Sequence, residues 1–413
     1  MKTLCYTIGN TIPVKDNFME LITTLTYYSS LFQSVTPTNY RRSIYDTISF
    51  SHKLIGLKGA KGVGKTTLLQ QYLQSLDIDI SEKIYISMDN PLIGATRLLT
   101  IAEEFQKRGI KVLVVDEIHY QKDFEQDLKT IYDFFDIQVV FSGSSAIALS
   151  QADLSRRALV YTVPILSFRE YLELKLDIKL EPITFDTLLD NHPQQAFEII
   201  SKLKPLKYFE SYLDFGAYPF FLEGSEQDYI MKLTTAVNKT IESDLLQLFN
   251  IDPKNIALLK KLLVIMCENP PGEMNITSLA REMELNVKTL YHYITALEKG
   301  KLIKLLYYNK KGNALFQKPD KVLLNNPSLF KILCLTSNIG ARRESFFLSM
   351  LEGHSIRYSK KGDYIVDQHH FEVGGRNKSF SQIKNIDDSY LALDDIEVGE
   401  GNKIPLWLFG FLH

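Results

Sequence analysis

A glycine-rich run set between an apolar strand and an amphipathic helix leaves a chain few folds to choose from. Here the run is GAKGVGKTT, Gly59 to Thr67, with HKLIGLK leading into it and TTLLQQYLQSL leading out. Gly59, Gly64, Lys65 and Thr66 fit the spacing G-x-x-x-x-G-K-[ST], in the strand–turn–helix context that the spacing requires. Glycines let backbone N–H groups approach phosphate oxygens, a helix N-terminus adds a favourable dipole, and Lys65 brings a point charge. The alternative is a bare glycine turn before a helix. The motif therefore predicts a nucleotide cradle of Gly59, Ala60, Lys61, Gly62, Val63, Gly64, Lys65, Thr66 and Thr67. ATP and Mg²⁺ are the expected cofactors, with the Thr66 hydroxyl as a metal ligand.

The second half of such a site is an apolar strand ending in acid, and KVLVVDEIHY supplies Val112 to Val115 followed by Asp116 and Glu117. Asp116 at the strand tip is expected to hold Mg²⁺, and Glu117 to orient and deprotonate the attacking water. Two further strand candidates flank this one: EKIYISMDN before it, and IQVVFSGSSAIAL after it. Ser142, at the end of the latter, is the candidate sensor of the γ-phosphate. RRALVYTVPIL then leads into a fifth strand, with Arg157 as a candidate arginine finger acting in its own site or a neighbour's. A surface charge pair is the competing reading of Arg156 and Arg157. His119 is either a contact to the site or the start of a loop.

At 413 residues the chain exceeds what one core usually organises, and 45% hydrophobic with 23% charged residues is ordinary globular material. A net charge of −2 gives no global signal for nucleic acid or membrane. Three cysteines, Cys5, Cys267 and Cys334, are far apart and suggest neither a metal cluster nor a disulfide framework. With no leader and no long apolar run, a soluble, cytoplasmic protein in a reducing compartment is expected.

GAKGVGKTTLLQQYL, VVDEIHY, FSGSSAIALS, SRRALVYTVPILSFREYL and YLDFGAYP, in that order, resemble a family of AAA-type bacterial and archaeal P-loop ATPases that carry a C-terminal domain of unknown function. The resemblance runs from about Tyr40 to the C-terminus. It implies an additional-strand parallel sheet in which the acidic strand is not directly beside the P-loop strand. In the family a glycine precedes the arginine; Arg156 stands in the glycine's place here, which favours Arg157 as the finger.

The expected architecture is an α/β P-loop NTPase core of the AAA type with its N-terminal helix (1–166), then a helical lid (167–270), a winged helix-turn-helix (271–325) and an α+β nuclease-like domain (326–413). The lid rests on helical spacing in AFEIISKL, TTAVNKTIESDLLQLF and NIALLKKLLVIM. In NITSLAREMELNVKTLYHYITALEKGKLIKLLYYNKKGNALF, Ile276, Leu279 and Met283 line one helix, and Val287, Leu290, Tyr291, Ile294 and Leu297 line another. Gly300, a strand from Leu302 and a basic turn complete a winged-helix outline. Lys288, Thr289, His292 and Tyr293 are expected to face outward, with Lys310 and Lys311 in the wing. From Asn275 to Lys311, seven Lys/Arg against three acids give a net +4, a local patch suited to double-stranded DNA. Winged helices also dock proteins or pack subunits, so a protein partner or an oligomer is the alternative.

In the C-terminal stretch, Glu344 on a helix, Asp363 at a strand start and Glu372 on the next strand follow the order of a PD-(D/E)xK nuclease fold. Such enzymes place a lysine two residues after the last acid to position water, and here that position is Gly374. Arg376 or Lys378 would have to reach back from a turn. The fold is thus expected more than the chemistry, with an unrelated α+β tail as the remaining reading. His369 and His370, adjacent near a hairpin turn, point to opposite faces and are not expected to share a metal.

Overall fold

The computed structural model describes residues 14–35, 40–146, 152–268, 275–308, 318–336 and 338–412. Its N-terminal half is built on five parallel strands: β1 (Leu54–Gly59), β2 (Lys83–Ser87), β3 (Val112–Asp116), β4 (Gln138–Ser144) and β5 (Leu159–Thr162). Their spatial order is β2-β3-β4-β1-β5. The acidic strand β3 is therefore separated from the P-loop strand β1 by β4, as the resemblance implies. Every residue of β3 is buried, which is why it reads as an unbroken aliphatic run and not an alternating one. The helix Val14–Ser34 lies along β2, with Ile22 and Leu25 buried, Phe32 stacked on Tyr85 at 3.6 Å between ring centres, and Ser29 Oγ accepting from the Tyr85 amide at 2.8 Å.

A helical region follows. Its first helix, Phe168–Leu176, starts in a capping box between Ser167 and Glu170. Later come Phe185–Ile200, Pro205–Phe215 and Glu226–Lys239, then a π-helical turn, Thr240–Leu245, continuing as Leu246–Phe249. Three helices, Ile256–Glu268, Ile276–Glu282 and Val287–Lys299, then lead into an antiparallel hairpin of β6 (Ile303–Leu306) and β7 (Lys321–Leu324). The remaining residues form the helices Ser328–Leu333 and Ile339–Met350 and a mixed sheet of β8 (Ile356–Tyr358), β9 (Tyr364–Val366), β10 (His369–Gly374), β11 (Ser389–Leu393) and β12 (Lys403–Pro405), with neighbours in sequence order. Strands β8 to β10 pair antiparallel and β10 to β12 parallel. The terminal IPLWLFGFL stretch is core: Trp407, Phe409 and Phe411 are buried. It also ties the two ends of the chain's second half together, because the Phe411 carbonyl accepts from the Ile183 amide at 2.8 Å and Phe411 packs edge-on to Phe168.

Several sequence expectations change in this setting. Tyr293 is buried, 4% exposed, not outward, because the Val287–Lys299 helix is covered on a second side by the chain at Phe249 to Lys254. Val287, expected inside, is 40% exposed in the first turn of that helix. Cys267 and Cys334 are joined in a disulfide with Cα atoms 5.7 Å apart, because helices Ile256–Glu268 and Ser328–Leu333 pack together. That corrects the reading of separate, unpaired cysteines; Cys5 lies outside the described residues. Among the described residues no helix is long and apolar enough to cross a membrane.

Candidate functional site

The turn after β1 folds tightly around its glycines. Gly62 and Gly64 adopt φ of +90° and +95°, which side chains rarely tolerate, and a methyl group on Gly59 would lie 2.6 Å from the Val163 carbonyl oxygen. The helix Lys65–Ser75 starts directly from this turn. Lys65 is buried, and its Nζ donates to the carbonyl oxygens of Gly59 and Ala60 at 3.0 and 3.1 Å. Burial pushes the Lys65 pKa down, while Glu117 and Asp116 pull the other way. Its ammonium is thus held at the loop it is meant to serve.

Parallel strands bring the acids to the same edge. Thr66 Oγ1 donates to Asp116 Oδ2 at 2.7 Å, and Ser142 Oγ donates to Asp116 Oδ1. The Glu117 amide donates to Ser142 Oγ at 3.2 Å and to Asp116 Oδ1 at 3.1 Å. Thr66, Asp116, Glu117 and Ser142 thus form one cluster beside Lys65. A hydroxyl and a carboxylate in direct contact are a donor set suited to a small hard cation that keeps its remaining positions for phosphate and water. Glu117 sits in the left-handed region at φ +50°, a turn that swings its side chain away from the strand.

Other residues complete this site, and of these Tyr85, Asp244, Phe220 and Arg42 carried no clear sequence signal. Tyr85, at the middle of β2, donates its hydroxyl to Asp116 Oδ2 at 3.0 Å; burial and the neighbouring Asp116 charge push its pKa up. His119 is buried with Nδ1 3.4 Å from Glu117 Oε2 and accepts from the Ser144 amide. Its other nitrogen lies 3.4 Å from Asp244 Oδ1, and Lys61 of the glycine turn reaches that same oxygen at 3.1 Å. Phe220 lies so close over Gly62 that any side chain there would strike its ring. Arg42 braces the turn from behind. It donates to the carbonyl oxygens of Val63, Pro164 and Ile165 at 2.9, 2.8 and 2.9 Å, and pairs with Glu170 at 2.7 Å.

The remaining predicted residues lie elsewhere. Arg157 forms a two-point contact with Asp133, at 2.8 and 3.1 Å, on the helix Phe124–Phe134. Lys288 is exposed, Thr289 is half-buried, and His292 is exposed with its Nε2 3.0 Å from the Phe249 carbonyl oxygen. Lys310 and Lys311 lie outside the described residues. Two lysines of the basic count turn inward: Lys301 pairs with Glu352, and Lys304 Nζ donates to the Leu348 carbonyl at 2.8 Å. The local charge available to a partner is smaller than the sequence count suggests.

In the C-terminal sheet Glu344, Asp363 and Glu372 do come together, and lysines come with them. Lys321, from β7, pairs with Glu344 and lies 3.7 Å from Asp363 Oδ1. Tyr364 donates to Glu344, and the Val373 amide donates to Asp363 Oδ2 at 2.9 Å. Glu372 is fully buried and its Oε1 lies 2.8 Å from Lys378 Nζ. The Lys378 stem runs across Gly374, 2.8 Å from where a Cβ there would be. Of the two cations that would have to reach back from the turn, Lys378 does so and meets the last acid. Its side chain occupies the space a residue at 374 would use. Among the described residues, however, no group of three or more His, Cys, Asp or Glu is arranged to hold a metal ion; Lys321 stands between two of the acids.

Residues 51–172 match the family model described as an AAA domain. With the sheet order and the turn geometry, this defines residues 51–172 as an AAA-type P-loop domain. Residues 206–340 match a second model, a domain of unknown function. The chain is 29% identical over 400 residues to an uncharacterized Methanocaldococcus jannaschii protein, MJ1637, covering 87% of this chain and 84% of that one. Among solved structures it is similar to a variant of Thermotoga maritima RuvB, 16% identical over 70% of this chain and 89% of that one, with a TM-score of 0.25. AMPPCP-bound DnaA from Aquifex aeolicus is 16% identical over 72% and 90%, with a TM-score of 0.23.

Proposed function

We propose that this protein is a Mg²⁺-dependent ATPase whose nucleotide state controls how its C-terminal half engages double-stranded DNA. The observation that carries the catalytic part is the direct contact of Thr66 with Asp116, with Glu117 one residue on and Lys65 buried at the loop. Backbone N–H groups of the Gly59–Thr67 turn bind the phosphates, and Lys65 exchanges its carbonyl partners for phosphate oxygens. Thr66 and Asp116 would hold Mg²⁺, which when bound neutralises charge on the β- and γ-phosphates. Glu117 accepts the proton of the attacking water, and Ser142, already bonded to Asp116, holds that carboxylate and the Glu117 amide in place.

The DNA part rests on the three helices and hairpin, read as a winged helix-turn-helix that presents Lys288 and Thr289 at the start of its recognition helix, Val287–Lys299. A protein-docking role for the same module is favoured by the inward turn of Lys301 and Lys304, which thins the basic surface. A nuclease role for the C-terminal sheet is favoured by Lys378 over Gly374 and opposed by Lys321 in the acid cluster. ATP turnover with and without duplex DNA, at low and moderate salt, separates these. Salt-sensitive stimulation supports the DNA reading, and turnover indifferent to DNA supports a protein partner. Mg²⁺-dependent cutting lost in Asp363→Ala would establish the nuclease.

A further inference from the structure

The π-helical turn Thr240–Leu245 touches both halves of the molecule within six residues. Toward the ATP site, Asp244 Oδ1 lies 3.1 Å from Lys61 Nζ of the glycine turn and 3.4 Å from His119 Nε2, whose opposite nitrogen is 3.4 Å from the Glu117 carboxylate. Ser243 Oγ is 3.0 Å from the Tyr120 hydroxyl, and Gln247, just beyond the turn, donates to the His119 carbonyl at 3.0 Å. Toward the other side, Leu245 and Thr240 press on the end of the Val287–Lys299 helix: a methyl group on Gly300 would lie 3.2 Å from Leu245 Cδ2 and 3.3 Å from Thr240 Cγ2. Glu242 pairs with Lys260 on the helix Ile256–Glu268 at 2.6 Å. The short helix that continues the turn ends at Phe249, whose carbonyl meets His292 on the Val287–Lys299 helix.

A π-turn inserts an extra residue into a helix and recurs at functional sites, because it turns side chains out of the ordinary helical register. Here it puts Asp244, 2% exposed, against Lys61 and His119 of the ATP site while Ile241 and Leu245 stay in the core. Burial opposes the charge on Asp244, yet the neighbouring His119 and Lys61 bring its pKa below the usual carboxylate value. The groups that hold this carboxylate thus belong to the ATP site and not to its own helix.

We infer that Asp244 is a positioning residue of the ATP site, and that through the Thr240–Leu245 turn it transmits the state of that site to the Val287–Lys299 helix. Toward the site, it orients His119 against the general base Glu117 and competes with phosphate for Lys61. Toward the helix, Thr240 and Leu245 pack where Gly300 leaves no room for a side chain, so a movement of Asp244 shifts the wall on which the end of that helix rests. The inference rests on the ATPase reading above and names the lid residue through which that site acts.

The test uses the full-length protein and three measurements: binding of a fluorescent ATP analogue, steady-state ATP turnover, and amide hydrogen exchange of segment 287–300 with and without a non-hydrolysable ATP analogue and Mg²⁺. In the wild type the analogue is expected to change exchange in 287–300. Asp244→Asn is expected to keep nucleotide affinity within about threefold and to lower kcat on the order of 10- to 100-fold, the scale of a misplaced catalytic group. It is also expected to abolish the exchange response, and Asp244→Glu to restore part of both effects. An Asp244→Asn protein that binds, turns over and responds like the wild type overturns the inference. So does a wild type that binds nucleotide with no response in 287–300. A folded wild type that binds no nucleotide refutes the ATPase reading itself, and the inference falls with it.

Discussion

Removing the Arg42 guanidinium exposes how far the P-loop depends on a residue outside its motif. Arg42 is 6% and Glu170 2% exposed, and their pair adds three carbonyl contacts from Val63, Pro164 and Ile165. Burial opposes the Glu170 charge, but Arg42 beside it and the Ser167 amide hold its carboxyl below the usual range. In Arg42→Met, Glu170 becomes a buried carboxylate without its cation. Breaking one side of a buried pair costs roughly 3–5 kcal/mol, so the variant should lose about that much in urea unfolding of the core. Arg42→Met/Glu170→Met, which removes both charges, should recover most of it. The loss also has a pH signature. Because the folded Glu170 pKa is depressed, the pair stabilises fully above the unfolded carboxyl value and the benefit fades as pH falls through the folded value. The gap between wild type and Arg42→Met should therefore narrow on acidification below about pH 4.5. A loss under about 1 kcal/mol, the scale of a surface pair, with no narrowing, would refute the reasoning.

Glu117→Gln should bind ATP as the wild type does while hydrolysis falls about 10²- to 10⁴-fold, the range of a lost general base, read by turnover against fluorescent-nucleotide affinity. Tyr85→Phe removes a hydrogen bond to the Asp116 carboxylate, a loss of about 1.5–3 kcal/mol for a charged acceptor; a change of about 10- to 100-fold in the Mg²⁺ concentration for half-maximal turnover would register it. Burial lowers the Lys304 pKa to about 8 from 10.5, so the unfolded chain binds more protons between those values and stability rises with pH there. Lys304→Met should gain up to about 3 kcal/mol near pH 7 by the scale of 1.4 kcal/mol per pH unit, a gain that disappears above about pH 10.5 in urea titrations.

The nucleotide turn was legible because its chemistry is local: glycines, lysine and threonine act within a few residues of each other, at spacings fixed by backbone geometry. Asp116 was legible because it ends an apolar strand, and Ser142 because it directly follows the apolar run of another; parallel strands deliver such positions to one edge. Asp244 was not. It meets Lys61 across 183 residues of sequence, inside a helical pattern whose π-turn no periodicity reveals. Tyr85 was hidden for a similar reason, since a strand residue with an ordinary pattern becomes part of a site only through its neighbour's register. On the Val287–Lys299 helix, a single-face reading put Tyr293 outside; a second packed side buries it. Lys378 was underestimated because sequence distance from Glu372 says nothing about a turn that folds back, closed here by the Lys378 amide on the Gly375 carbonyl at 2.9 Å.

The most direct single test is ATP hydrolysis by the purified protein with Lys65→Ala as the comparison, with and without duplex DNA at low salt. We predict Mg²⁺-dependent turnover that Lys65→Ala abolishes and that DNA raises, with the rise fading as salt is added. Turnover that survives in Lys65→Ala would contradict the assignment of the nucleotide site.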